Sequence, residues 1–374
     1  GILMSDNGLN RLEIRMTGDL SGISIPEYPE LCSESAARQT AELEFLVSYG
    51  RTRNIRVVPA IAHVDSCFGI AGKRPGWRAE GEIWHPTGIN LNLSNLCFQN
   101  PDVRDFYRAL ARSIASNVNP EEIQFWLAEN NLRCECARCT GGGTSHPYEL
   151  SKLHFLRQAE LFYSSVASAR CRDGRVPEAS LWTTQGSSPY NIPLIRSLPK
   201  EVLWFYYDGE RRGTYNLRKR KIFPGYLKKL IDEGYRISAQ VDWYSCGFFL
   251  TSPGIVGEIC CEAAETGMEG ITGWIREYPV KPSAHPILTY AAAMCREPDP
   301  DPSSFSKVME ETLRNEGNSE DASAISARLW EAIGSTSRII HLQDSYNYWW
   351  RGTNQPGAIC SRIIRSAPVD EIDQ

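Results

Sequence analysis

The segment at residues 121–139, EEIQFWLAENNLRCECARC, decides the fold of this chain. Its apolar run from Ile123 to Ala128 has the length and aromatic content of a buried strand. Glu129 follows that run directly. Parallel α/β barrels hold their catalytic groups at the carboxyl ends of their strands. The segment therefore predicts a barrel strand that ends at a catalytic glutamate.

Strand-like and helix-like stretches alternate on both sides of this segment, which is typical of βα units around a parallel sheet. The predicted strands are residues 10–16, 55–61, 122–128, 179–184, 202–207, 236–242 and 270–275. We therefore predict an α/β fold, a (β/α)8 barrel of the TIM type. A closed barrel has eight strands, and the chain begins within a helix-like stretch, so we expect the first strand to precede Gly1. An open doubly wound sheet is the alternative.

Only helices are predicted after the last strand, at residues 284–295, 305–314 and 322–341. The Asp-Pro pairs between Pro298 and Pro302 are typical of a boundary. We therefore predict two regions, a barrel catalytic domain at residues 1–297 and a C-terminal helical extension at residues 298–374.

Composition limits the partners that this chain can have. The 374 residues are 42% hydrophobic and 23% charged, with a net charge of −5 and no basic block. This balance argues against nucleic-acid binding, and the sequence has no run of about 18 apolar residues that could span a membrane. The 10 Trp and 16 Tyr residues suit the flat faces of sugars, although core packing explains most of them equally well.

Residues that follow or end the predicted strands form the candidate site, because the strand ends of a barrel meet at one mouth. Three carboxylates are the predicted catalytic groups: Glu129 as proton donor, Glu277 as its first-choice partner and Asp242 as the next. Two carboxylates flanking the scissile bond are the usual machinery of glycoside hydrolysis. The predicted substrate-binding residues are Arg15, His63, Asp65, Asn130, Trp182, Asp208, Trp243, Trp274 and Tyr278.

Each of these residues also has a structural interpretation. A carboxylate after a strand often caps a helix or joins an ion pair, and a single histidine such as His63 is commonly a hydrogen-bonded structural residue. Trp243 and Trp274 are as consistent with packing as with sugar stacking.

The Cys-x-Cys-x-x-Cys run of Cys134, Cys136 and Cys139 is a specific signal, because three thiols so close together rarely arise for packing. Such spacing suits a tetrahedral zinc site that needs a fourth ligand, and Cys97 in NLCFQNP is the candidate. Two disulfides are the alternative if the protein is exported. Either arrangement would be structural, so we expect no cofactor for catalysis.

Residues 91–139 resemble a family of exported bacterial barrels that includes the endo-β-N-acetylglucosaminidases of glycoside hydrolase family 163. The likeness lies in Leu96-Cys97, Asn100-Pro101, Val103-Arg104 and the run from Cys134 to Cys139. A more distant resemblance, to the family 20 hexosaminidases, lies in Gly8 to Met16, Val57 to His63 and Ala128-Glu129.

These resemblances imply a retaining barrel enzyme that acts on glycans in the periplasm or outside a bacterial cell, with Glu129 as the acid. One departure matters. Family 20 has an Asp-Glu pair where this chain has Ala128-Glu129, and that aspartate orients the 2-acetamido group of the substrate. Its loss argues against substrate-assisted cleavage, and it leaves a protein nucleophile or an inverting water as the alternatives.

The leading hypothesis is therefore a glycoside hydrolase that acts on a polysaccharide or glycoconjugate glycan. A non-catalytic carbohydrate-binding barrel is the second hypothesis, because the aspartate of the family 20 pair is missing. A zinc-dependent hydrolase centred on the cysteines is the third. The sugar, the linkage and the oligomeric state do not follow from the sequence.

Overall fold

The computed structural model describes residues 8–17, 21–62, 64, 67–84, 88–130, 132–141, 143, 146–184, 186–207, 223–244, 253–275, 285–299, 301, 304–315, 318–325, 327–329 and 332. Within these ranges, no helix combines the length and the apolar character that crossing a membrane requires.

The fold is an α/β barrel of the TIM type, as predicted, and its strands follow one another in the sheet in chain order. All of the registers observed between neighbouring strands are parallel. The strands are β1 (Arg11–Thr17), β2 (Arg56–Ala62), β3 (Glu122–Trp126), β4 (Glu178–Trp182), β5 (Leu203–Tyr206), β6 (Arg236–Tyr244) and β7 (Ile271–Ile275). Each of the seven predicted strands is confirmed to within about two residues at either end.

Helices separate the strands, as the alternating pattern predicts. They are α1 (Ala36–Arg51), α2 (Phe68–Lys73), α3 (Pro101–Ser113), α4 (Ala137–Thr140), α5 (Pro147–Ser168), α6 (Asn191–Arg196), α7 (Gly225–Asp232), α8 (Pro253–Thr266), α9 (His285–Arg296) and α10 (Ser304–Asn315). The three short helices α2, α4 and α6 were not predicted from the sequence, because segments of four to six residues are too short to show a helical period.

The start of α3 shows how local sequence sets a helix boundary. Asn100 is the N-cap residue, and its side-chain oxygen accepts a hydrogen bond from the backbone N–H of Asp102 at 3.0 Å. Pro101 occupies the first helical position, where its missing N–H costs nothing. The helix therefore begins at Pro101.

The chain divides into two compact units. The first comprises residues 1–207 with 234–236, and the second comprises residues 208–233 with 237–374. In the first unit, α3 and α5 cover β3 through a cluster of buried rings, in which Phe125 stacks on Phe162 at 4.5 Å and Tyr107 contacts both. In the second unit, Tyr290 of α9 packs edge-on against Phe305 of α10. The boundary expected at residue 297 stays a prediction.

The amino-terminal ends of the strands carry an ion network that the sequence analysis did not anticipate. Glu122 is fully buried and accepts hydrogen bonds from Arg11 at 2.8 Å and from Arg56 at 3.2 Å. Arg56 also donates to Glu178 at 2.8 Å, and Arg236 donates to Glu178 as well. These residues lie at the starts of β1, β2, β3, β4 and β6. Because this is the face opposite the catalytic mouth of a barrel, we assign the network to stability.

Candidate active site

Glu129 lies three residues beyond the end of β3, in the position that the sequence predicts. Every residue of β3 is buried, and Leu127 and Ala128 are also fully inaccessible. The Glu129 side chain is only half-buried. The chain therefore leaves the core just before Glu129, and the acidic group is partly exposed to solvent.

Three hydrogen bonds hold the backbone just before Glu129. The N–H of Leu127 donates to the carbonyl of Trp182 at 3.0 Å, and the N–H of Ala128 donates to Oε1 of Gln158 at 3.1 Å. The Thr184 hydroxyl donates to the carbonyl of Ala128. Since Gln158 belongs to α5 and Thr184 follows β4, two separate elements fix this backbone.

Gly186 approaches the same segment so closely that a side chain would not fit. A Cβ atom placed on Gly186 would lie 2.6 Å from the carbonyl oxygen of Asn130 and 2.8 Å from that of Ala128. Contacts this short with backbone atoms require the backbone to move. The loop after β4 and the loop after β3 are therefore packed backbone to backbone beside Glu129.

Replacing Gly186 by alanine should displace residues 128–130 and destabilise the fold by about 1–3 kcal/mol, the usual cost of overpacking a close contact. Thermal unfolding would measure the loss of stability, and any glycan-cleaving activity should fall with it. Gly72→Ala is the matched control, because a Cβ atom there meets nothing within 4 Å. Equal melting temperatures for the two variants would contradict the close packing at Gly186.

Aromatic rings lie beneath the mouth, on the strands that neighbour Glu129. The Arg15 guanidinium lies over the ring of Trp126, 5.0 Å from its centroid, and Trp126 meets Trp182 edge-on. Trp182 is 1% exposed and also packs against Tyr207. Trp182 is therefore enclosed by other rings and packs within the core. Its role in substrate binding stays a prediction.

The structure describes only part of the predicted site. Arg15 is exposed and Asn130 is half-buried, and both lie on the first unit together with Glu129 and Trp182. Asp242 and Trp274 face one another in the register of β6 and β7, beside an irregularity between Asp242 and Tyr244. The side chains of Asp242, Trp243 and Trp274, and the whole of His63, Asp65, Asp208, Glu277 and Tyr278, lie outside the described residues.

The four cysteines of the predicted cluster meet in the first unit. The Sγ atoms of Cys97, Cys134, Cys136 and Cys139 all lie within 4.8 Å of one another, and all four side chains are buried. The Sγ atom of Cys97 is 3.7 Å from that of Cys136 and 3.6 Å from that of Cys139, and none of the four is in a disulfide. The group could therefore hold a metal ion.

Sequence reasoning missed three residues that position the candidate acid: Gln158, Thr184 and Gly186. Thr184 follows a strand, so the rule that selected the other candidates would have found it. Gln158 gives no local signal, because a glutamine within a helix is usually exposed. Gly186 matters only because another loop lies against it, and that contact is set by the tertiary structure.

No protein-family model matches the sequence, and no curated protein matches it. The chain is similar in structure to an enzyme of glycoside hydrolase family 138 that targets pectin rhamnogalacturonan II, with a TM-score of 0.57, 12% identity and coverage of 91% of this chain and 40% of that one. It is also similar to the family 20 exo-β-N-acetylglucosaminidase of Vibrio harveyi. The TM-score is 0.52 and the identity 12%, and the match covers 84% of this chain and 54% of that one.

A third similar structure is α-L-fucosidase isoenzyme 2 of Paenibacillus thiaminolyticus, with a TM-score of 0.54, 11% identity and coverage of 79% of this chain and 45% of that one. The chain thus spans about half the length of each of these three structures or less. At these identities the similarity establishes the barrel fold. The resemblance to family 163 and its cysteine run stays a prediction.

Proposed function

We propose that the protein is a glycoside hydrolase that cleaves a glycosidic bond in a polysaccharide or glycoconjugate, with Glu129 as the proton donor. One observation carries the proposal: a half-buried carboxylate lies three residues beyond a completely buried barrel strand, on a backbone fixed by two other elements. The barrels of glycoside hydrolases are similar in fold, which supports this class over other uses of the fold.

The chemistry requires a second group beside the acid. Glu129 would protonate the leaving oxygen, and a second carboxylate would either attack the anomeric carbon or activate a water. We propose Glu277 as that partner and Asp242 as the alternative, on the basis of their positions after or at the end of predicted strands. Asn130 and Arg15, on the described part of the mouth, would contact sugar hydroxyls.

The residue before the acid bears on the class of substrate. Ala128 is fully buried, and its backbone N–H and carbonyl are both hydrogen-bonded. An alanine cannot orient a 2-acetamido group, so a mechanism in which the substrate supplies its own nucleophile is not favoured. We therefore favour a protein nucleophile or an activated water, and a neutral or uronic sugar over an N-acetylhexosamine.

The test is a screen of the purified chain against polysaccharides and released glycans, with detection of new reducing ends and direct binding measured in parallel. We expect at least one glycan to be cleaved. Binding without cleavage would support the alternative, a non-catalytic carbohydrate-binding barrel, which the missing acidic residue at Ala128 also favours. The absence of both binding and cleavage across neutral, uronic and amino sugars would contradict each proposal.

The two partner candidates can be separated by chemical rescue of the variants Glu277→Ala and Asp242→Ala, which remove the carboxylate and leave space for a small anion. We expect one of them to lose about 10²–10⁴-fold in turnover, the range that a positioned catalytic group contributes. If the lost group is a nucleophile, added azide should restore turnover and give a glycosyl azide, because a small anion can occupy the space of the missing carboxylate oxygen. Near-normal turnover in both variants would exclude both assignments.

A further inference from the structure

The four sulfur atoms of the cysteine cluster surround one point. In a tetrahedral site with Zn–S bonds of about 2.3 Å, neighbouring sulfurs are about 3.8 Å apart. The separations of 3.6 Å and 3.7 Å from Cys97 to Cys139 and Cys136 are close to that edge length. Two disulfides would instead divide the sulfurs into two bonded pairs, each about 2.05 Å apart. The observed spacing is therefore that of a ligand set.

We propose that Cys97, Cys134, Cys136 and Cys139 bind one Zn²⁺ ion in a closed, structural site. Thiolates are the ligands of structural zinc, and four of them complete its tetrahedral shell. All four side chains are 5% exposed or less, so the protein excludes the water that an open catalytic zinc retains. This closed shell also argues against the hypothesis of a zinc-dependent hydrolase.

The surroundings of the sulfurs supply the outer contacts that such a site needs. The backbone N–H of Glu80 donates to Sγ of Cys134 at 3.3 Å, a bond that stabilises a thiolate. Arg157 of α5 donates to the carbonyl of Cys139 at 2.8 Å. Its positive charge lies beside a centre that would carry two net negative charges, because four thiolates outweigh one divalent ion.

The site would join two loops that follow neighbouring strands. Cys97 belongs to the connection between β2 and α3, whereas the other three cysteines belong to the connection between β3 and α5. Backbone bonds already run between these loops, from the N–H of Glu135 to the carbonyl of Glu80 at 2.9 Å. Within the first loop, the N–H of Cys97 donates to the carbonyl of Trp77 at 2.8 Å.

The metal would therefore restrain the loop that begins at Glu129, only five residues before Cys134. An ion that fixes both loops at one point reduces the freedom of the segment that carries the acid. This consequence for activity rests on the proposed function, whereas metal binding itself does not.

The experiment measures metal content in the full chain, purified without chelators. We expect about one zinc per chain in the wild type, and at least a tenfold loss in Cys97→Ser and in Cys136→Ser, since even outer contacts of metal ligands change affinity by about 10–100-fold. Cys171→Ser is the matched control: this buried cysteine lies outside the cluster and donates to the carbonyl of Pro120, a bond that a hydroxyl can keep. It should retain full zinc content.

Wild-type protein supplies a second measurement that does not depend on whether the variants fold. Exchange of zinc for Co²⁺ should give the visible absorption bands of tetrahedral thiolate coordination, and a chelator should release the metal and expose four additional reactive thiols. Iron in place of zinc, disulfides among these cysteines in unreduced protein, or metal-free protein with four readily reactive thiols would each overturn the proposal. Zinc in a chain that cleaves no glycan would leave the metal site intact and refute only the proposed function.

Discussion

Glu129→Gln should abolish most of the turnover of any natural glycan that the wild type cleaves, while the fold and substrate binding survive. A positioned general acid contributes about 10²–10⁴-fold to rate, and glutamine keeps the shape of the side chain but has no acidic proton. Glu129 is half-buried, so the change is made at a side chain that solvent still reaches. We therefore expect the loss to fall on kcat, with little change in the thermal unfolding temperature.

The leaving group of the substrate gives the sharper readout. A sugar hydroxyl leaves poorly unless it is protonated, whereas a dinitrophenolate leaves without help. The variant should therefore lose far less activity on a dinitrophenyl glycoside than on the natural glycan. Glu149→Gln is the matched control, because it makes the same chemical change at a partly exposed glutamate of α5 that pairs with Lys152. Equal losses on both substrates would remove Glu129 from the role of acid.

Glu122→Gln should lower the free energy of unfolding by about 3 kcal/mol at neutral pH, the size of effect expected when one partner of a buried ion pair is removed. The Arg11 side chain is 15% exposed, and Glu122 is fully buried. Without the carboxylate, the Arg11 guanidinium loses two hydrogen bonds and keeps only Glu13 as an acidic partner, in a place that water hardly reaches. Urea unfolding monitored by circular dichroism would measure the difference.

Glu13→Gln is the matched control for that experiment, because Glu13 binds the same arginine. Its carboxylate accepts hydrogen bonds from Arg11 at 2.9 Å and from Gln124 at 3.0 Å. Burial raises the pKa of Glu13 despite these partners, so its ionised form is disfavoured in the folded state. We therefore expect its neutral replacement to change stability by less than about 1 kcal/mol. A larger effect at Glu13 than at Glu122 would contradict this account.

The two carboxyl groups should also respond to pH in opposite directions. Burial opposes ionisation of Glu122, but the charge and hydrogen bonds of Arg11 outweigh it, and the pKa of Glu122 lies below its ordinary value. Its contribution to stability is therefore complete above the unfolded pKa of about 4.3 and disappears as the pH falls through the folded value. The difference in the free energy of unfolding between wild type and Glu122→Gln should therefore become smaller in acid. The contribution of Glu13 to the stability of the fold should instead increase in acid.

The sequence by itself determined the barrel, its seven strands and the position of Glu129 relative to β3. Each of these follows from local signals: apolar runs of strand length, caps such as Asn100-Pro101, and a polar residue where a run ends. The spacing of Cys134, Cys136 and Cys139 is likewise local. Cys97 was also named from the sequence, as the candidate fourth ligand, and the structure brings it to the other three cysteines.

Only the tertiary structure decided which distant residues meet. The pairing of Arg11 with Glu122, the enclosure of Trp182, and the contacts of Gln158 and Gly186 with the loop of Glu129 all depend on the register between strands and the path of loops. Register fixes which side chains share one level of the barrel, and it results from packing over the whole sheet. No short stretch of sequence carries that information, so the supports of the candidate site could be found only once the strands were in place.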